Sequence, residues 1–110
     1  MTPEQFLQRL HQDPEGIEFD QVMAMVADHY RYTPTRFVNG SGDDALVNEA
    51  GSNEGSCRIF ALGRLLGLDE SQTLACFGRY YRQDVLGCPG GTDHMNIRNF
   101  MRHGWAGVRF

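Results

Sequence analysis

Lysine is absent from this 110-residue chain: the ten cationic side chains are all Arg, set against fourteen Asp and Glu, for a formal charge of −4. With no basic cluster, the chain is poorly matched to a phosphate backbone or an anionic membrane surface, so neither nucleic acid nor membrane is expected as a partner. Nor is there an apolar run near the roughly 18–20 residues that a membrane span needs. Cysteine is scarce and odd in number: Cys57, Cys76 and Cys88, with no Cys-x-x-Cys pair. A disulfide framework is therefore not expected, and reduced thiols in a cytosol are. The opening Met1-Thr2-Pro3-Glu4-Gln5-Phe6-Leu7 has neither a basic start nor an apolar stretch, so no signal peptide is expected. Repeats, low-complexity tracts and linker-like segments are also missing. What remains is a chain in which 25 residues are Leu, Ile, Val or Phe, enough for one modest core in a single domain over residues 1–110.

The pattern is mainly helical. Thr2, Pro3 and Gln5 form a cap, first position and capping box for a helix with Phe6, Leu7 and Leu10 on one stripe, closed by Asp13-Pro14-Glu15-Gly16. A second helix is predicted from Asp20 to about Tyr30, with Phe19, Val22, Met23, Val26 and Tyr30 on its buried face. Tyr32 to Val38 is β-prone but carries Pro34, so a short or edge strand is expected, ended by Asn39-Gly40. Asn39 to Ser56 reads as a long polar loop, within which Ala45-Leu46-Val47 can dock on the core.

Ser56 is the expected cap of a third helix that runs to Gly67. Seven of its ten residues from Cys57 to Leu66 are apolar, which makes it central. Asp69 and Gln72 suggest a capping box for a fourth helix bearing Leu74, Phe77, Tyr81 and Val85, with Gly78 a kink or a close approach. After Cys88-Pro89-Gly90-Gly91, Thr92 or Asp93 is the expected cap of a last helix carrying Ile97, Phe100 and Met101. The expected fold is a compact domain of about five helices. Trp105 to Phe110 is predicted to pair with the Phe37 segment in a two-stranded ribbon, near 35–39 and 105–110.

Two residues invite chemistry. Cys57 falls in the first turn of a helix, where unpaired N–H groups and the helix dipole favour a thiolate nucleophile. Its plainer reading is a small buried hydrophobe, the commonest state of free Cys. The Gly55-Ser56-Cys57 run resembles the short stretch around the nucleophile of papain-like proteases, over about six residues only. His94, in the polar opening of the last helix, is the expected base, with Asn48, Asn53 or Asp93 to orient it. The plainer reading there is an Asp93-His94 cap and first-turn pair.

Asn48, Glu49, Asn53 and Ser56, with the intervening glycines, can form a nest for an anionic ligand, or simply fix a turn. Arg79, Arg82, Arg98 and Arg102 can contact an anion, or lie on solvated helix faces, one of which Arg98 and Arg102, four apart, would share. No metal site is expected. Read as an EF-hand from Asn39, the loop has Asp44 where Gly is required and Ala50 where the bidentate Glu belongs. No cofactor is implied by any spacing in the chain.

The runs Leu46 to Gly51, Asn53 to Ala61, Thr73 to Gly78, Tyr80 to Leu86, Gly91 to Met101 and Gly104 to Phe110 resemble the HopJ type III effector proteins, in order and over essentially the whole chain. The resemblance implies a small bacterial effector-related protein, and it brings no established reaction or catalytic residues. Type III export signals are Ser-rich, poor in acids and unfolded. Here the first twenty residues hold no Ser, hold Glu4, Asp13, Glu15, Glu18 and Asp20, and begin a capped helix almost at once. The expectation is a cytoplasmic protein that binds an unidentified small molecule or protein partner. Its rival is a thiol hydrolase or transferase with Cys57 as nucleophile and His94 as base.

Overall fold

The structure, a computed structural model, describes all residues 1–110. Local signals place the first two helices. In α1 (Pro3–Gln12) the Thr2 hydroxyl accepts from the Gln5 N–H while the Gln5 amide oxygen accepts from the Thr2 N–H, closing the capping box. A 3-10 turn at Pro14–Gly16 leads to α2 (Phe19–His29), which buries Val22, Met25 and Val26. Met25 is more deeply buried than the Met23 of the expected stripe.

β1 (Phe37–Asn39) is the middle strand of a three-stranded antiparallel sheet in the order β2-β1-β3. Its pairing with β3 (Val108–Arg109) is the expected ribbon. The third strand, β2 (Leu46–Asn48), lies inside the segment expected to be loop and pairs Phe37 with Asn48. With only three strand residues, no alternation signal distinguishes it from loop.

α3 (Glu54–Leu66) carries the centre of the core. Phe60 is fully buried, with the rings of Phe100 at 5.0 Å, Phe37 and Phe77 at 5.8 Å and Trp105 at 6.1 Å. α4 (Glu70–Ala75) has the expected Asp69–Gln72 capping box but ends early. Gly78 then turns the chain with φ +59°, and a Cβ there would come within 2.7 Å of the Phe19 backbone nitrogen. A π-helical turn at Tyr80–Val85 follows in place of a continued α-helix. α5 (Met95–His103) and a 3-10 turn at Gly104–Gly107 return the chain to the sheet.

Two predicted caps are corrected. α3 begins at Glu54 with Asn53 as its cap rather than Ser56, and α5 begins at Met95 with His94 as its cap rather than Thr92 or Asp93. Both caps are left-handed, Asn53 at φ 49° and His94 at φ 51°, the only non-glycine residues with positive φ. Neither cap uses a side chain, so the helix-start rule based on Ser, Thr or Asp has nothing to detect.

Candidate functional site

The two left-handed caps face one hollow of about 350 Å³. Asn53, Gly55 and Ser56 from the start of α3 line it, and so do His94, Met95, Asn96 and Ile97 from the start of α5. The polar segment before α3 and the first turn of α5 therefore meet at this hollow. Phe19, Phe77 and Tyr80 supply aromatic walls, brought there by the close approach of Gly78 to the start of α2.

A ladder of asparagines, buried except for Asn53, joins the two sides. Asn48 and Asn96 exchange hydrogen bonds: Asn96 Nδ2 donates to Asn48 Oδ1 at 2.9 Å, and Asn48 Nδ2 donates to Asn96 Oδ1 at 3.2 Å. Asn53 Nδ2 also donates to Asn48 Oδ1, at 2.7 Å, which ties the α3 cap to β2. Asn39 Nδ2 reaches the Asn96 carbonyl at 2.8 Å and its Oδ1 at 3.0 Å. Asn99 Nδ2 donates to the carbonyls of Asn39 and Asp44. Asn39, Asn96 and Asn99 are absent from the sequence-derived candidates. The signal that points to them is the placing of Asn96 and Asn99 beside Ile97 and Phe100, on a helix whose buried residues include all four.

His94 closes one wall. Its ring lies against Tyr80, centroids 5.3 Å apart, and Nε2 is 3.1 Å from Asp84 Oδ2 and 3.8 Å from Asp93. Asp93 itself is committed to Arg98, 2.6 Å away, and that guanidinium holds its carboxyl below the usual range. Arg98 is buried, not solvated, and it also donates to the carbonyls of Cys88, Pro89 and Asp93. It pins the 88–93 turn and does not line the hollow. Glu49 lies on the surface with Arg36 at 3.1 Å.

Cys57 and His94 do not form a pair. The Cys57 thiol is buried and donates to the Thr35 carbonyl at 3.5 Å, while the polar side chains beside His94 Nε2 are the acids Asp84 and Asp93. One residue along an α-helix is about 100° of rotation, so Ser56 can face the hollow while Cys57 turns toward Tyr32 and Thr35. Burial and the neighbouring Cys57 thiol push the Tyr32 phenol above its ordinary value. No three His, Cys, Asp or Glu side chains are gathered so as to hold a metal ion. No helix is long and apolar enough to cross a membrane.

The fold and site define a mainly α domain in which a small sheet and two helix starts enclose a hollow backed by asparagines. The model of the HopJ type III effector protein family matches residues 3–110, and the chain belongs to that family. It is similar to a solved crystal structure described as that of an unknown-function protein, VPA0580, with 52% identity and a TM-score of 0.94 over 100% of this chain and 88% of that one. No curated protein matches the chain at significance.

Proposed function

We propose that this HopJ-family protein is a binding protein, and that the hollow between α3 and α5 takes a small ligand combining a flat apolar body with an anionic or strongly polar group. The observation that carries this reading is the convergence of two helix starts on one cavity. The first turn of a helix leaves N–H groups without intrahelical partners, and the dipole favours negative charge there. The first backbone bonds made within these turns are those of Cys57 N–H to Asn53 and of Ile97 N–H to His94. That leaves the N–H groups of Gly55, Ser56, Met95 and Asn96 free at residues that line the hollow. Its volume is at the lower end of the range of about 300–1,000 Å³ that holds small molecules, and aromatic walls with a few convergent polar groups are the usual lining.

A titration of the labelled protein with benzoate, followed by amide shifts in NMR, tests the reading. Saturable shifts centred on Gly55, Ser56, Met95 and Asn96 are expected, and Ser56→Trp, which fills the hollow, should abolish them. Shifts scattered over the surface, or unchanged in the Trp variant, would remove the site.

We further propose that the protein acts in the cytoplasm of the cell that makes it. The support is that Phe6 and Leu10 of α1 are buried in the core, so residues 3–12 are committed to the fold and not free to serve as an unfolded export signal. Export of a reporter fused to residues 1–30 by a type III system would overturn that.

A further inference from the structure

A second hollow, of about 370 Å³, lies between α2, the 30–35 segment, α3 and Phe110. Val26, Tyr30, Leu62 and Leu65 give it apolar walls, and Leu65 and Phe110 are 67% and 52% exposed. Large apolar side chains left this open beside a concavity are a usual sign of an occupant.

The charge of the lining is what specifies the occupant. Arg31, Arg58 and Arg64 line this hollow and no Asp or Glu does, the reverse of a chain in which acids outnumber bases fourteen to ten. Arg58 is held in place with its guanidinium 4.1 Å over the Tyr32 ring, and its nearest acid, Glu54, is 4.0 Å away. Arg64 donates to the carbonyls of Trp105 and Val108, which anchors it without cancelling its charge. A fixed cation with spare donors at the mouth of an apolar hollow is suited to a planar carboxylate.

We propose that this second hollow binds a small amphipathic carboxylate, its alkyl or aryl body against Val26, Leu62 and Leu65 and its carboxylate between Arg31 and Arg58. Its volume lies at the lower end of the range of about 300–1,000 Å³ that holds small molecules. This site is separate from the α3–α5 hollow and stands or falls independently of it, because the two share no lining residue.

Sodium octanoate is the probe, titrated below its micelle concentration into the full chain and read by amide shifts. Saturable shifts are expected at Tyr32, Thr33, Cys57, Ala61 and Leu65, with octylammonium at the same concentration giving none. The double variant Arg31→Gln/Arg58→Gln should bind octanoate at least fivefold more weakly while its amide spectrum away from this hollow stays that of the wild type, and Ala61→Trp, at an exposed position of the lining, should block binding. The proposal is overturned if octanoate gives no saturable shifts, or if octylammonium binds equally well. It is overturned as well if the double variant keeps full affinity, or if the shifts gather at Gly55, Ser56, Met95 and Asn96.

Discussion

Asn96 accepts two hydrogen bonds through Oδ1 and donates one through Nδ2 while only 6% exposed. A buried amide so placed costs little as it stands, and removing it strands the groups it served. Asn96→Ala leaves Asn39 and Asn48 short of partners, and it should cost about 2–3 kcal/mol in urea unfolding, against a few tenths for an exposed Asn. A loss under about 0.5 kcal/mol would show that water replaces the amide. The three thiols differ at the same scale. Burial pushes the Cys76 thiol up to about 12 and Cys57 is buried, whereas Cys88 is exposed. Iodoacetamide at neutral pH should therefore label Cys88 first, reaching Cys57 and Cys76 only in denaturant. Mass spectrometry checks this, and early labelling of Cys57 would reopen the idea of a nucleophile.

Elements owe their placement to different causes. α1 and α4 are legible in the sequence because their caps are side chains three residues from their partners, and the same residues close both capping boxes in the structure. α3 and α5 start one to three residues away from the predicted caps, since a left-handed Asn or His carries no such local mark. The Gly42–Asp44 turn shows how tertiary contact fixes a segment whose sequence reads only as polar loop. Asp44 is 3.1 Å from His103 Nε2 and 3.5 Å from Arg102, and its carbonyl accepts from Asn99. The His103 hydrogen bond, with Arg102 adding to it, holds the Asp44 carboxyl below its ordinary value. A carboxyl depressed on folding adds stability that is complete above its unfolded pKa, about 3.9, and is lost as pH falls through the folded one. Wild type should thus exceed Asp44→Asn in melting temperature at pH 6, and the gap should narrow below about pH 4. A gap that stays constant to pH 2.5 would leave the ion pair without a part in stability.

At the scale of the whole molecule, the radius of gyration of 13.2 Å equals the roughly 13 Å expected of a folded globule of this length. Twenty buried apolar residues form one cluster, to which all five helices and two of the strands contribute. Unfolding should therefore be a single transition, with the far-ultraviolet dichroism and the fluorescence of Trp105 coinciding in urea. Trp105 is a suitable reporter because it touches Phe60 and Phe100 and donates its indole N–H to the Leu68 carbonyl. Separate midpoints would show that the sheet and the α3–α5 pair come apart independently.

Helical class, the capped starts of α1 and α4 and the central α3 were determined by the sequence alone, because capping and apolar periodicity act over three or four residues. The β1–β3 pairing was legible by another route, since an isolated strand must find a backbone partner. The kinship with HopJ is carried by the same linear order of residues. Only the tertiary structure decided that Arg98 is buried, that Cys57 and His94 attend to different partners, and that asparagines 39, 48 and 96 meet. The bonds among those asparagines span 48 to 57 positions of chain. No local pattern encodes such a meeting: it exists only once the sheet and α5 have packed against each other.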